Sequence, residues 1–429
     1  MWWQKEGLEQ WLRDFLRDAL RRRGVNSLLS DQQTDPFDLL SDPRSFGFSS
    51  LDMVQLASRF AACMGLDRTG LSDLLLARRS AKGWCDVARR SRQINDQEMG
   101  FYSSGSTSGP KLHRHQSGKL LAEAEYFVRA LPVFRRTVCV VPSHHIYGFI
   151  WGILLPAENK VPCIFIDTDD TLPTSWARQL KDHDMIVAIP DTWQLLMELD
   201  IQLPDHFVGI SSTAALPAAT ADFFRSRYPA AIMAEIYGSS ETAGLAWRTV
   251  SNSGFTLLPW WQLNQLHQQT TAVSSITDEQ HLLQDKIEIA ADDSITVCGR
   301  TDRVIQIAGH NIDLDTLAEE LTKHPDVEAA KVLHEPQDNN LRLDYFLALR
   351  KEPGNLQHWC LGFSRWLEQN LGDIPAPASV VVADELPRGI LSKSVTWNIK
   401  QYDAVIGVYR SGFPALKTDV GIDKTSGLR

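Results

Sequence analysis

Four short segments concentrate residue types that can handle phosphate. The first, Phe101-Tyr-Ser-Ser-Gly-Ser-Thr-Ser-Gly-Pro-Lys111, gathers Ser103, Ser104, Gly105, Ser106, Thr107, Ser108 and Gly109 into one loop. Backbone N–H groups and hydroxyls at that density can cradle an anion, and Lys111 adds a positive charge. A Walker A loop would need Gly-Lys followed by Ser or Thr, whereas Gly109 is followed by Pro110. The competing reading is a flexible Ser/Gly linker. The second segment, Tyr237-Gly-Ser-Ser-Glu-Thr242, follows an apolar run that ends at Ile236. Glu241 is therefore expected just past a strand end, where open α/β sheets hold ligands. A carboxylate there suits Mg²⁺, which favours oxygen ligands and often also touches substrate phosphates. Otherwise Glu241 is an ordinary solvated turn residue. The third, Cys298 to Gly309, and the fourth, Leu386-Pro-Arg-Gly-Ile-Leu-Ser-Lys393, read in isolation as a surface hairpin and a surface lysine.

The elements around these segments change character along the chain. Residues 1–90 read as a small helical unit. Leu8, Trp11, Leu12, Phe15 and Leu16 keep helical spacing, Met53, Val54, Ala57 and Phe60 mark a helix over Leu51–Met64, and a short third helix fits Leu71–Arg79. The polar stretch Ser91–Glu98 reads as a linker. After it, β-rich runs at Thr137–Val141, Val161–Ile166, Met185–Ile189, Phe207–Ile210 and Ala231–Ile236 alternate with helical patterns at Trp176–Lys181 and Ala218–Arg227. That alternation predicts an α/β layer with parallel strands. From Lys286 the strands shorten into hairpin-like pairs. Helices are expected at Leu314–Lys323 and Leu356–Leu371, a strand at Ser379–Val382, and a polar, disordered tail of about 25 residues.

Composition narrows the class. Of 429 residues, 43% are hydrophobic, which excludes disorder, and Asp+Glu 53 against Lys+Arg 43 gives a net charge of -10, without the basic footprint of a nucleic-acid binder. Six dispersed cysteines with no C-x-x-C pair indicate neither a zinc cluster nor a disulfide framework. Lys5 and Glu6 stand where a secretory signal needs its apolar region, and the apolar stretch Val138–Ala157 contains Pro142, Ser143, His144 and His145. No membrane span and a cytoplasmic location are expected.

The order and spacing of the four segments resemble the adenylate-forming (AMP-binding) acyl and aryl ligases, over about Phe101 to Lys393. The resemblance implies a multidomain protein. A helical unit (1–90) precedes an α/β large domain binding ATP and acid (97–302), and a mobile α+β C-terminal domain (303–429) follows. Ser103–Lys111 takes the place of the family's phosphate loop. Pro142-Ser-His-His-Ile-Tyr-Gly148 matches its Pro-x-x-His-x-x-Gly, making His145 a wall of the acyl pocket. Ser212-Thr-Ala-Ala-Leu-Pro217 stands for the adenine-binding Gly-Gly-Ala-Pro-Leu-Pro, giving Thr213, Ala214 and Ala215 to the nucleotide. Tyr237, Gly238, Ser240 and Glu241 match Tyr-Gly-x-Thr-Glu, with Glu241 the Mg²⁺ ligand. Asp285 and Arg300 fall at the ribose positions, Asp302 at the hinge, Gly309 on the thiol-transfer loop and Lys393 at the adenylating lysine. Departures are Ser212 and Thr213 for glycines, Gln306 for a common lysine, Asn311 for a common arginine and Ser392 for glycine.

Residues 1–90 are similar to an acyl carrier protein. Phe46-Gly-Phe-Ser-Ser-Leu-Asp-Met-Val-Gln-Leu matches Gly-x-Asp-Ser-Leu-x-x-Val-x-Leu, with Ser50 at the phosphopantetheine-bearing position and Ser49 for the usual aspartate. The competing role for Ser50 is a helix N-cap. The resemblance implies an acid–thiol ligase using ATP and Mg²⁺. It activates a carboxylic acid to an acyl-adenylate and passes the acyl group to a pantetheine thiol, foremost on an acyl carrier protein, alternatively on free CoA. A non-catalytic carrier-binding protein is the alternative from another class. His145, Tyr147, Phe149, Trp193, Ile236, Thr242 and Trp247 are the pocket candidates, and their aromatic content favours a small aryl or apolar acid, unless these rings are core.

Overall fold

Helix α1 (Glu6–Arg22) buries Leu8, Trp11, Leu12, Phe15, Leu16, Ala19 and Leu20, the stripe that its spacing predicts. Acidic residues begin it and arginines end it, matching the helix dipole. Helix α2 (Ser50–Met64) starts on a capping box in which Ser49 and Asp52 satisfy each other's backbone, and stops at Gly65 in the left-handed region (φ +71°). Ser49, not Ser50, is thus the N-cap. Helix α3 (Ala81–Ile94) begins on Ser80, which accepts from the Gly83 amide. The third expected helix shrinks to one turn at Leu74–Ala77. The computed structural model describes residues 1–4, 6–23, 35–103, 111–167, 171–266, 269–300, 304–307, 310–335, 342–351, 353–371, 374, 376–383 and 405–410.

The chain forms two compact units, Met1–Asp302 and Arg303–Arg429. In the first, the division expected at residue 90 has no counterpart in the packing. One apolar cluster runs without a break from Trp3 through α1, α2 and α3 to Ala272. The expected linker after Ser91 is a packed junction: Arg92 is buried, donates to the Glu98 carbonyl and pairs with Asp96, which also accepts from Trp3 Nε1 at 2.8 Å. Polar composition suggested a linker, but these charges are matched, so the segment packs. Strand β1 (Glu98–Tyr102) pairs antiparallel with β2 (Leu112–Gln116), and a Cβ on Gly100 would meet the Ala62 carbonyl of α2 at 3.1 Å.

The main sheet has the order β4-β3-β5-β6-β7-β8-β9. Strands β3 (Arg136–Cys139), β4 (Cys163–Phe165), β5 (Asp184–Ala188), β6 (Phe207–Ser211) and β7 (Ile232–Ser239) are parallel. Strands β8 (Ala243–Thr249) and β9 (Thr256–Leu257) add antiparallel. β5 and β6 are buried along their whole length, as strands covered on both faces must be. Their residues alternate between two apolar clusters: Met185, Val187, Val208 and Ile210 join the N-terminal helices, while Ile186, Ala188 and Phe207 join the other. Helices α4 (Ser117–Ala130), α5 (Pro190–Glu198) and α6 (Ala218–Arg227) flank this sheet in sequence. Beyond it, β10 (Trp261–Leu266), β11 (Gln269–Ser274) and β12 (Gln280–Leu283) form a small sheet, and β13 (Asp285–Ile289) pairs with β14 (Ile295–Arg300).

In the second unit β15 (Val304–Ile307) pairs with β16 (His310–Asp313), the hairpin expected there. Helices α7 (Leu314–Leu321) and α8 (Leu356–Leu371) accompany a sheet of β17 (Val327–Glu335), β18 (Arg342–Leu349), β19 (Ser379–Ala383) and β20 (Val405–Arg410). β20 pairs with β19, so Val405–Arg410 is a strand where sequence polarity suggested a disordered tail. No described helix is long and apolar enough to cross a membrane.

Candidate active site

The hairpin β1–β2 and the turn between β7 and β8 meet at the C-terminal end of the parallel sheet. At the hairpin mouth Ser103 N–H donates to the Lys111 carbonyl at 2.9 Å, closing the loop whose tip, residues 104–110, lies outside the described residues. Lys111 itself is exposed. In the β7–β8 turn Ser239 N–H donates to Thr242 Oγ1 at 3.0 Å, and the buried Thr242 hydroxyl donates to the Ala243 carbonyl at 2.8 Å. A Cβ on Gly238 would lie 2.1 Å from the Ala243 carbonyl oxygen, so the turn closes only with glycine there.

Two histidines of β2 join the segments. His115 is buried, and burial pushes its pKa down to about 4. It is neutral near pH 7, and since the Ser240 carbonyl only accepts, its Nε2 carries the proton in the 2.8 Å bond between them. His113 Nε2 stands 3.5 Å from Glu241 Oε1. Burial lowers the His113 pKa; the Glu241 carboxylate opposes that shift and the Lys111 ammonium adds to it. His113 lies two residues from Lys111 on the hairpin and beside Glu241, so the two segments meet at this ring. The Glu241 side chain is 48% exposed and can turn to a ligand.

A second layer supports that turn. Glu123 of α4 accepts from the Gly244 amide at 3.0 Å, and burial raises its pKa to about 7. Lys119, one turn earlier, is buried over the Trp261 ring (4.5 Å) and pairs with Glu279 at 3.1 Å. None of His113, His115, Lys119, Glu123 and Glu279 is a sequence-level candidate. The available signal is Lys119 and Glu123 interrupting the stripe Leu120, Ala124, Phe127 that α4 buries.

On the other side of β7, Tyr237 Oη donates to Asp285 Oδ2 at 2.7 Å, and Asp285 lies opposite Arg300 in the β13–β14 register. Past the end of β6, Ser212 Oγ donates to the Ile236 carbonyl at 2.9 Å. Thr213 has a left-handed backbone (φ +83°), and its buried Oγ1 has no hydrogen-bond partner among the described residues. Ala214 is half-buried and Ala215 exposed. Thr213, Tyr237, Gly238, Ser240, Glu241 and Asp285 thus gather at the ends of β6 and β7, and the strand after Lys111 meets them through His113 and His115. Asp302, Gly309 and Lys393 lie outside the described residues, as does the side chain of Arg300.

The pocket candidates separate. His145 is half-buried and its ring lies 4.1 Å from that of His144. Tyr147 spends its hydroxyl on the Ala188 and Ile210 carbonyls (3.0 and 3.1 Å), tying β5 to β6. Trp193 is buried against Phe207 and Phe224 in the other cluster, away from Phe149. Phe149 packs between Trp2 and Phe101, and Ile236 and Thr242 are buried. Trp247 donates to Tyr126 Oη at 3.1 Å. Tyr147, Phe149 and Trp193 are core residues here, because aromatic content alone does not distinguish a pocket wall from packing.

Comparison with known proteins agrees with this architecture. The family described as AMP-binding enzyme matches residues 61–275, a span that begins inside α2 and includes α3. The chain is 32% identical over 311 residues to a 4-coumarate–CoA ligase of Cereibacter sphaeroides, covering 71% of this chain and 74% of that one. It is 29% identical over 374 residues to a 4-coumarate–CoA ligase of Halorhodospira halophila, covering 86% and 91%. Among solved structures, a malonyl-CoA ligase with methylmalonyl-CoA and AMP bound shares the fold at TM-score 0.56 and 19% identity, over 67% of this chain and 71% of that one. An amide bond synthetase from Marinactinospora thermotolerans does so at TM-score 0.58 and 17% identity, over 68% and 67%. The chain belongs to the AMP-binding enzyme family and is an acid–thiol ligase that works through acyl-adenylates.

Proposed function

We propose that this enzyme activates a small aryl or apolar carboxylic acid with ATP and transfers the acyl group to the thiol of free CoA. The observation that carries the reading is that His113, on the hairpin strand that follows Lys111, stands 3.5 Å from Glu241 of the β7–β8 turn. The relatives named above as 4-coumarate–CoA ligases support both the acid class and the acceptor. Transfer to a fused carrier is the weaker reading. The N-terminal helices share the ligase core, and Ser50 is an exposed first-turn residue beside the true cap Ser49.

The chemistry follows from charge. A carboxylate oxygen attacks the α-phosphorus, the bond to the bridging oxygen breaks, and pyrophosphate leaves with its electron pair. Two anions must approach, and unit charges about 4 Å apart at intermediate dielectric interact by on the order of 4 kcal/mol. Lys111 and the amides of its loop would bind the phosphates, Tyr237 and Asp285 would hold the ribose side, and Lys393 would neutralise the incoming carboxylate. The half-exposed Glu241 fits a Mg²⁺ that takes one protein carboxylate and substrate phosphates, and such an ion would supply further positive charge there. In the second step a thiolate attacks the acyl carbon and AMP leaves.

The test is pyrophosphate release and thioester mass with ATP, Mg²⁺ and a panel of carboxylic acids, offering CoA or a phosphopantetheinylated carrier as acceptor. CoA thioester is expected. Acylation of the carrier alone would refute the acceptor, and no pyrophosphate with any acid would refute the reading as a whole. Lys393→Ala is expected to lose pyrophosphate exchange yet still convert a supplied acyl-adenylate to thioester; equal loss of both steps would remove that role from Lys393.

A further inference from the structure

Helix α1 carries a charged face that none of the chemistry above uses. Asp14 lies on the buried side of the helix, 7% exposed. Its Oδ2 accepts from both the amide (2.8 Å) and the hydroxyl (2.6 Å) of Ser143, 129 residues away, and its Oδ1 accepts from Gln10 at 2.9 Å. One turn on, Asp18 stands 3.8 Å from Nε2 of the buried His144. Arg17 and Arg21 both reach Asp167, at 2.8 and 3.2 Å, just past β4. Side chains three and four apart share a helix face. One face of α1 therefore grips the segments that follow β3 and β4, at the carboxyl ends of parallel strands, where such sheets bind ligands.

The segment after β3 is Pro142–Gly148, which carries His145. It is tight on its far side also, since a Cβ on Gly148 would lie 2.1 Å from the Pro142 carbonyl oxygen. Trp2 packs edge-on to Phe149 at 4.8 Å, extending the same contact. A carboxylate buried on the apolar face of an amphipathic helix is costly unless its bonds are well made. Burial raises the Asp14 pKa, and the two Ser143 bonds lower it. A leucine or alanine would serve the packing, so the carboxylate needs another reason.

We propose that Asp14 is a positioning residue for the acid pocket: from α1 it fixes the Pro142–His145 segment and so sets the place of His145. This rests on the reading of His145 as a pocket wall. Asp14→Ala removes both bonds to Ser143, while Asp14→Asn keeps an acceptor oxygen for them. With the best acid of the panel, Asp14→Ala is expected to raise the KM for acid about tenfold or more, as loss of charged hydrogen bonds implies, and to leave the KM for ATP within about twofold. Asp14→Asn is expected to restore most of the acid KM. Independently of any substrate, amide exchange in the full-length protein is expected to quicken at residues 143–149 in Asp14→Ala and not in Asp14→Asn. If Asp14→Ala does not fold, Ser143→Ala carries the same signature at about threefold, having lost one bond of the two. Equal rises in both KM values, or unchanged exchange at residues 143–149, overturn the proposal. A wild type inert to every acid sinks the proposed function instead, and the exchange measurement still judges Asp14.

Discussion

Thr213 offers a stability measurement with a worked magnitude. Its φ of +83° is one where a β-branched residue is an outlier, because Cβ crowds the backbone. Holding a non-glycine residue in such a region costs about 1–3 kcal/mol. Its buried Oγ1 lacks a partner among the described residues, and a group left unsatisfied in this way costs about a further 1–3 kcal/mol. Glycine opposes these gains by losing more backbone freedom on folding, about 0.5–1 kcal/mol. Thr213→Gly is therefore expected to stabilise the ligand-free protein by about 1–5 kcal/mol. A unit of about 300 residues, at about 2.1 cal/mol/K per residue, shifts its Tm by roughly 1.5 °C per kcal/mol, so the rise is roughly 2–8 °C. Thr213→Ala separates the contributions: it discards the hydroxyl but keeps Cβ at the same φ, so its gain is smaller. Thermal unfolding by circular dichroism, with and without AMP, reads both variants. A Thr213→Gly protein less stable than wild type would refute the reasoning, since the side chain would then be making contacts that outweigh the strain.

Three further substitutions test other parts of the molecule. Glu123 has a folded pKa of about 7 against an ordinary 4.5, so the native state holds the extra proton and its share of stability falls as pH rises between those values. His115, at about 4 against 6.5, works the other way, and stability it contributes is lost as pH falls from 6.5 toward 4. The slopes oppose each other between about pH 4.5 and 6.5, so Glu123→Gln is expected to gain stability with pH more steeply than wild type in urea titrations across that range; a parallel profile would show that Glu123 is ionised throughout. Ser49→Ala is expected to cost about 1 kcal/mol through loss of the capping box. Ser50→Ala is expected to cost less than about 0.5 kcal/mol and to leave thioester formation intact; its loss, or a phosphopantetheine mass on Ser50, would revive the carrier reading.

Much of the large domain can be read directly from the sequence, because its signals are local. Strands β3, β5, β6 and β7 are short apolar runs, the hairpin mouth at Ser103 and Lys111 is marked by turn chemistry, and the position of Glu241 follows from the strand before it. Other features required the folded chain. Helical periodicity shows that α1 has a face to bury but not what covers it, so residues 1–90 read as a bundle while the structure joins them to the ligase core. Aromatic content predicts a large apolar volume, yet the hydroxyl of Tyr147 and the ring of Trp193 are committed to strand carbonyls and packing. The bond from Asp14 to Ser143 and that from His115 to Ser240 span more than a hundred residues. Side-chain periodicity encodes which surfaces leave water; the pairing of buried polar groups depends on which surfaces meet, and tertiary packing decides that.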